Sequence, residues 1–429
     1  MAVQVLLADR LWRCVTITLL AAAFTACDRE SGSRVLTLAG SAVGAEADAV
    51  RRQLHRFEAA HPSVRVQLRV TPDAADQRHQ LYVQWLNAQA PDPDVLQLDV
   101  VWTPEFAAAG WILDLDRFGV ATDDFFPAAL AANRWNGRIY ALPWFVDVGM
   151  LYWRTDLVDR PPGDVDDLER LAARARDDHH IPFGLVWQGA RYEGLVTVFL
   201  EYLGAFGGTM LNADGRIALD SEAAVAALQT MRDQIAVERI VPRAALTWHE
   251  EEVRFAFQNG DAVFMRNWPY AYRLLRDASQ SRVAGRFAVG PMPAGPGGTA
   301  AATLGGSVLA INAHSDNAAA ASRLIDYLLQ PEQLLERASL VGQYPPRPTL
   351  YEQQALGEAL SMDPAEVRRI LEHTVARPAT PVYAELSDIL QIALHRALTD
   401  QQDPRTAIAG AAVSMQALLD EVGLGPRQP

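Results

Sequence analysis

The segment Phe264–Tyr272, FMRNWPYAY, combines residue types that suit binding of a small ring-shaped molecule. Trp268 and Tyr270 flank Pro269 directly after a short apolar run. Proline favours the start of a helix, because its ring fixes φ and its missing N–H is not needed there. The segment therefore predicts a strand, a tight bend and a helix start. Rings at such a bend can stack on a ligand and hydrogen-bond through their edges. The alternative is a core strand that continues into a buried aromatic helix.

Polar side chains also follow predicted strands elsewhere in the chain. Asp99, Asp147 and Asn267 each lie at or near such a strand end. Ligands of open α/β sheets bind beyond the carboxyl ends of strands, so we expect these residues at one site. Ionised carboxylates accept strong hydrogen bonds from hydroxyl groups. Two of Asp99, Asp147 and Glu193 could instead be the acid and base of a glycosidase, and the residues alone leave both interpretations open.

Two histidine-containing motifs favour structural interpretations. His249-Glu250-Glu251-Glu252 begins like a zinc-protease helix, but no second histidine follows at the required spacing. We interpret it as a solvent-exposed helix face. Residues 177–180, Asp-Asp-His-His, lie at a predicted helix end, where histidine is favourable against the helix dipole. Neither motif predicts a metal site, and we expect no cofactor.

Composition excludes several function classes. The 429 residues, 50% of them hydrophobic, suffice for two domains with full cores. A net charge of -14 makes nucleic acid and anionic membrane surfaces poor partners. The chain contains no lysine, which excludes a P-loop lysine and Schiff-base chemistry.

The N-terminus has the pattern of an export signal. Arg10 and Arg13 precede the apolar stretch Cys14–Phe24, which is too short to span a bilayer comfortably. We predict a signal peptide over residues 1–27, with lipid attachment at Cys27 and a polar tether over residues 28–34. Phe24 departs from the leucine that is usual in this lipoprotein motif. Ordinary cleavage or an uncleaved anchor are the alternatives, and either kind of cleavage leaves too few cysteines for an internal disulfide.

Strands and helices alternate along the mature chain. The first units are a strand at Val35–Ala39, a helix at Ala45–Ala60, a strand at Val64–Val70, a helix at Ala74–Gln89 and a strand at Asp94–Val101. Such alternation predicts a mostly parallel sheet with right-handed crossovers.

The alternation resumes after Asn136-Gly137, a strong turn signal. Later strands are predicted at Arg138–Pro143, Val148–Trp153 and Ser307–Asn312. Later helices are predicted at Asp164–Asp177, Tyr192–Phe206 and Ser221–Val237, with Ser221 as a cap. The segment Pro291–Gly298 is predicted to be a loop, and the chain from Asp316 onward to be mostly helical, with a break at Tyr344–Pro348. Two α/β patterns in one chain indicate two lobes.

Eight segments carry a resemblance to a known family. In order they are Gly44–Glu46, Asp94–Trp102, Ala141–Pro143, Asp147–Tyr152, Tyr192–Val196, Phe264–Tyr270, Leu304–Gly306 and Ala376–Pro378. Their order and spacing resemble the family 1 extracellular solute-binding proteins of ABC importers, in particular the branch that binds trehalose, maltose and related glucosides. The resemblance implies a two-lobed, type II α/β fold that closes on a sugar. The implied N-terminal lobe is 35–146 with 305–343, and the C-terminal lobe is 147–304 with 344–429. The lobes would swing about crossovers near Phe145, Leu304 and Tyr344.

The same resemblance implies roles for particular residues. Carboxylates would accept hydrogen bonds from sugar hydroxyls, aromatic rings would line the sugar, an arginine would donate to hydroxyls, and glycine N–H groups would approach it closely. The carboxylates are Glu46, Asp99 and Asp147, and the aromatic rings are Trp268 and Tyr270. The arginine is Arg377, and the glycines are Gly305 and Gly306. Glu193 is a further ligand candidate, although a carboxylate is favourable at a helix start in any case. Ser307 stands where relatives often place a tryptophan, which removes one stacking wall.

The function that these features imply is capture of an α-glucoside disaccharide, trehalose or maltose, and its delivery to the transmembrane permease of an ABC importer. We expect a monomer in the periplasm or at the cell surface, which contacts the membrane only through its N-terminal lipid. A glycerophosphodiester is the alternative ligand, with Arg377 as the cation for its phosphate. An exported glycosidase is the alternative function.

Overall fold

The computed structural model describes residues 34–41, 44–296, 300–360, 362–372, 374 and 377–424. The predicted signal peptide and Cys27 lie outside the described residues, as does the tether up to residue 33. None of the described helices is both long enough and apolar enough to cross a bilayer.

Eleven described strands form two larger sheets and one small hairpin. They are β1 (Arg34–Gly40), β2 (Val64–Val70), β3 (Val95–Asp99), β4 (Arg134–Trp135), β5 (Arg138–Ile139), β6 (Ala141–Val148), β7 (Met150–Arg154), β8 (Phe183–Val186), β9 (Ala262–Asn267), β10 (Phe287–Pro291) and β11 (Leu304–Ile311).

The helices pack around these sheets. They are α1 (Glu46–Ala60), α2 (Ala75–Asn87), α3 (Thr103–Ala108), α4 (Pro127–Ala131), α5 (Val165–His179), α6 (Glu193–Ala205), α7 (Glu222–Ala236), α8 (Glu250–Gln258), α9 (Tyr270–Arg276), α10 (Ala318–Leu328), α11 (Pro331–Val341), α12 (Gln354–Ala359), α13 (Pro364–Glu372), α14 (Tyr383–Leu398) and α15 (Pro404–Glu421). The predicted helical character after Asp316 and the break at Tyr344–Pro348 are confirmed.

The first sheet has the strand order β2-β1-β3-β11-β6. Strands β1, β2 and β3 are parallel, whereas β11 runs antiparallel to both β3 and β6. Helix α1 connects β1 to β2, and its predicted stripe of Val50, Leu54 and Phe57 is buried in the core. A helix with apolar residues at this spacing packs one face on a sheet, which is why the local pattern predicted it.

The second sheet has the order β10-β7-β9-β8, with β8 parallel to β9 and β7 antiparallel to its neighbours. Helix α6 is apolar on nearly every side and is buried against it. Helices α14 and α15 contribute to the same core. Both sheets are mixed and flanked by helices, so the predicted α/β fold class is confirmed. The expectation of a mostly parallel sheet is wrong, because four of the seven strand pairings in the two larger sheets are antiparallel. The cap predicted at Ser221 is also confirmed, because its side chain accepts a hydrogen bond from Ala224 N–H.

Several predicted boundaries are wrong. The strand predicted to begin at Ser307 begins at Leu304, so Gly305 and Gly306 lie inside β11. Strand β6 extends through Val148, and a break at Gly149 separates it from β7. Arg34, predicted as tether, already belongs to β1. These strands continue because neighbouring strands pair with them, and local residue patterns do not record that pairing.

The chain passes from the first sheet to the second at Gly149. A Cβ built at this glycine would overlap the carboxylate of Glu201 and the guanidinium of Arg266. These two side chains form an ion pair that is fully buried. Only glycine lets the backbone approach the pair so closely.

We predict that Gly149→Ala lowers the free energy of unfolding by about 3 kcal/mol, because it displaces one partner of a buried ion pair. Gly410→Ala is the matched control, since Gly410 lies in helix α15 with open space around it. That control should stabilise the protein by about 0.5–1 kcal/mol. Urea denaturation of both variants measures the difference, and equal stabilities would contradict the account.

Candidate ligand-binding cleft

Strands of the first sheet and the helix starts beside the second sheet line one cleft of about 800 Å³. The lining contains all nine predicted ligand residues: Glu46, Asp99, Asp147, Glu193, Trp268, Tyr270, Gly305, Gly306 and Arg377. The structure therefore brings together residues that lie more than 300 positions apart in the sequence, as the resemblance implied.

Strand register explains why two of the acids meet. Strand β11 lies between β3 and β6, and it pairs Ser307 with Asp99 and Gly305 with Asp147. Both carboxylates thus border the same short stretch of β11. Gly306 lies between these positions with φ 118°, and a Cβ there would overlap the carbonyl of Phe145. Glycine is required at this position because other residues rarely adopt such a φ.

Asp147 is a half-buried acid that remains available to a ligand. Its Oδ1 is buried and accepts no hydrogen bond from any described residue. Burial, with the negative charge of Glu46 next in effect, raises the pKa of Asp147 to about 7, against the opposing charge of Arg337. A hydroxyl donor from a ligand would satisfy this oxygen and favour its ionised form.

Arg377 connects two of the predicted acids. Its Nη2 donates to Oδ1 of Asp99 at 2.8 Å, and its Nη1 donates to Oε1 of Glu193 at 2.7 Å. Burial alone would lower the pKa of Arg377, but the charges of Asp99 and Glu193 raise it above its usual value. In this geometry Arg377 is a buried ion-pair partner of Asp99 and Glu193. Donation from Arg377 to a ligand remains a prediction.

Glu46 is the centre of a buried hydrogen-bond network at the start of α1. Its Oε1 accepts from Gln97 at 3.2 Å, Arg337 at 3.0 Å and Gln343 at 3.2 Å. Its Oε2 accepts from the hydroxyl of Ser41. Because both oxygens already have partners, this carboxylate fixes the shape of the cleft wall. Its predicted contact with a ligand stays a prediction.

Two consecutive acids at the start of α8 hold the predicted aromatic residues. Glu250 accepts a long hydrogen bond of 3.4 Å from Nε1 of Trp268, and Glu251 accepts one of 2.7 Å from the hydroxyl of Tyr270. Glu250 itself lines the cleft. The interpretation of residues 249–252 as a solvent-exposed helix face is therefore wrong for these two acids. The sequence feature that could have revealed these two residues is a pair of acids in the first turn of a helix. That feature is also typical of ordinary helix starts, where acids are favourable.

The indole ring of Trp268 also contacts a cation. The guanidinium carbon of Arg266 lies 4.0 Å from the centre of the indole ring, and Arg266 pairs with buried Glu201. Such stacking stabilises the ring orientation. Asn267, also predicted at the site, is fully buried and accepts a hydrogen bond from Trp268 N–H at 2.8 Å. It supports the bend and is not among the lining residues.

Sequence reasoning missed further lining residues, which are spread over separate elements. They include Ser41, Asp73, Arg78, Gln97, Phe145, Tyr192, Thr197, Glu250 and Gln343. Ser307 lines the cleft as well and accepts a hydrogen bond of 3.0 Å from Gln97. Tyr192 lies in a segment that carries the resemblance, but no spacing in the sequence distinguishes the polar members of this set from ordinary surface positions. In the described part of the chain, no group of three or more His, Cys, Asp or Glu side chains could hold a metal ion.

A profile of bacterial extracellular solute-binding proteins matches residues 53–366, which is more than half of the chain. The chain belongs to this family. A Deinococcus radiodurans protein named as a probable ABC transporter-binding protein is 36% identical over 358 residues, which cover 80% of this chain and 84% of that one. The structure of T. maritima MalE3 with bound maltose is 41% identical, with a TM-score of 0.86, and covers 90% of this chain and all of that one.

One further structure bears on the alternative ligand. A Mycobacterium tuberculosis protein in complex with glycerophosphocholine matches with a TM-score of 0.78 and 22% identity, over 91% of this chain and all of that one. At this identity the similarity shows the fold alone.

The family resemblance seen in the sequence is confirmed. The family and the compared proteins are solute-binding proteins, so the chain is an extracellular solute-binding protein and the glycosidase alternative is wrong.

We predict that Asp147 makes stability depend on pH. Its folded pKa exceeds the value of about 4 in an unfolded chain, so its stabilising contribution is fully present below about pH 4 and is lost as the pH rises through about 7. Between pH 5 and pH 8 the free energy of unfolding of the wild type should fall by about 2 kcal/mol more than that of Asp147→Asn. Urea denaturation at both pH values tests this, and parallel losses in the two proteins would contradict it.

Proposed function

We propose that this protein is the substrate-binding component of an ABC sugar importer and that it captures an α-glucoside disaccharide, maltose or trehalose. The observation that carries the proposal is the joint placement of acids and aromatic rings along one cleft. The 41% identity to a maltose-bound protein over 90% of the chain supports it. The captured sugar is then delivered to the transmembrane permease.

The chemistry of the cleft suits a neutral sugar. Ionised carboxylates accept strongly from hydroxyl groups, and the rings of Trp268 and Tyr270 offer apolar contact. Asp147 has a free oxygen for this purpose. A few such contacts could supply micromolar affinity, about -8 kcal/mol, after the costs of ordering.

Charge argues against the glycerophosphodiester alternative. Acids outnumber arginines among the lining residues; the acids are Glu46, Asp73, Asp99, Asp147, Glu193 and Glu250, and the arginines are Arg78 and Arg377. Arg377, the cation assigned to the phosphate in that alternative, already bridges two carboxylates. A phosphate would be repelled by the surrounding acids.

Closure of the two lobes is part of the proposal. The implied crossovers lie side by side, because Leu304 pairs with Val148 and Tyr344 forms a bridge to Val146. Adjacent strands can bend together as a hinge without disturbing either core. A sugar that contacts both lobes, 35–146 with 305–343 and 147–304 with 344–429, favours the closed state because only that state makes all contacts.

The N-terminus supplies the anchor in this proposal. Cleavage before Cys27 and its acylation would hold a monomeric receptor at the membrane, with the remainder in the periplasm or at the cell surface.

We predict that Cys27→Ser moves the protein from the membrane fraction to the soluble fraction of its native host, because no lipid can then be attached. Immunoblots of fractionated cells measure this, with labelling by a radioactive fatty acid as the second readout. Unchanged membrane association and the absence of labelling in the wild type would contradict lipid attachment.

We predict that Trp268→Ala weakens maltose binding at least tenfold, since a lost stacking contact is worth about 1.4 kcal/mol or more. Isothermal titration calorimetry measures the affinity, and the melting temperature of the ligand-free variant should change little. Trp135→Ala is the matched control, because Trp135 lies in the small β4–β5 hairpin away from the cleft. Wild-type affinity in Trp268→Ala would remove Trp268 from the site.

The function itself is tested by titrating the wild type with maltose, trehalose and glycerophosphocholine. One mole of disaccharide bound per mole of protein, without glucose release, supports the proposal. Binding of glycerophosphocholine in place of both sugars would contradict it.

A further inference from the structure

Tyr192 occupies a distinctive place in the cleft. It is the residue that precedes helix α6, next to Glu193, and it lines the cleft. Only 4% of its surface is exposed. Its ring packs against His249, with the ring centres 4.4 Å apart. The ring is therefore held in place from the side of α8.

The buried hydroxyl of Tyr192 makes no hydrogen bond of normal geometry to a described residue. Burial raises the pKa of Tyr192 well above its usual value, with further contributions from the negative charge of Glu250 and from contact of the hydroxyl with that carboxylate. The phenol therefore keeps its proton at neutral pH and can donate a hydrogen bond. Buried tyrosine hydroxyls usually have a partner, so an unpaired one on a cleft wall indicates a group that a ligand satisfies.

Neighbouring residues support this position of the hydroxyl. A Cβ built at Gly194 would overlap the phenol oxygen of Tyr192, so glycine leaves the space that the phenol occupies. Glu250 lines the same wall and accepts a hydrogen bond from Trp268. A donor, an acceptor and an aromatic ring thus lie on the wall formed by the starts of α6 and α8 and by the bend between β9 and α9.

We propose that Tyr192 determines specificity by donating to one hydroxyl of the sugar ring that stacks on Trp268, while Glu250 accepts from that sugar. This assignment rests on the proposed function of the cleft. A site that hydrogen-bonds a ligand hydroxyl discriminates strongly against the analogue that lacks it, because the protein group is then buried without a partner. Tyr192 would therefore recognise one particular hydroxyl of the sugar.

The test is a double-mutant cycle between Tyr192→Phe and a series of monodeoxy maltoses, measured by calorimetry. For maltose, Tyr192→Phe should weaken binding about tenfold. For one deoxy analogue, the wild type should lose about tenfold and Tyr192→Phe should lose nothing further. For the other analogues, the two losses should multiply. Gly194→Ala, which displaces the phenol, should also abolish discrimination against that one analogue.

Tyr202→Phe is the matched control. Tyr202 is a buried tyrosine on α6, but its hydroxyl donates to Gln234 at 3.0 Å and it is not among the residues that line the cleft. Removing that hydroxyl should lower the melting temperature and leave every affinity within twofold of the wild type.

Two outcomes would overturn the role of Tyr192 while the proposed function stands. One is that the affinity losses from Tyr192→Phe and from the missing hydroxyl multiply for every deoxy analogue, and the other is that Tyr192→Phe binds maltose with wild-type affinity. A wild type that binds neither maltose nor trehalose would overturn both.

Discussion

The bridge that Arg377 makes between Asp99 and Glu193 is the interaction on which the cleft depends. Asp99 ends β3 in the first sheet, and Glu193 begins α6 beside the second. One guanidinium therefore joins the two halves of the site through charged hydrogen bonds. Glu193 also accepts from the hydroxyls of Tyr383 and Ser387 on α14. Removing the arginine would leave two acids facing each other, one of them buried, at a cost of about 3–5 kcal/mol.

Around this bridge, pairs of protein groups fix the remaining walls before any ligand is considered. The buried network of Glu46 with Arg337 shapes one wall. Arg266, paired with Glu201, supports the indole of Trp268 from behind. Because these side chains are already ordered, a ligand need not order them on binding, which reduces the entropy cost of association. Oδ1 of Asp147 and the hydroxyl of Tyr192 make no hydrogen bond of normal geometry to a described residue, and they are the groups that a ligand would complete.

Local pattern predicted a large part of this structure from the sequence. The apolar stripe of α1 and the strand, bend and helix start around Pro269 follow from spacing and from the fixed φ of proline. Residue types and strand ends already indicated Trp268, Tyr270, Asp99 and Asp147, and the resemblance added the other residues. The structure collects all nine along one cleft. What local pattern could not supply was pairing between distant segments. Glu250 looked like a solvated helix residue because its contact with Trp268 arises only in the folded chain. The need for glycine at position 149 likewise follows from the buried Glu201–Arg266 ion pair, whose residues lie far along the chain.

A crystal structure of the protein grown with maltose tests the central claim most directly. The account predicts one disaccharide in the cleft, with a glucose ring against Trp268, a hydroxyl on Oδ1 of Asp147 and Arg377 still bridging Asp99 to Glu193. Maltose bound elsewhere on the surface, or a cleft in which these acids and rings no longer face one another, would contradict it.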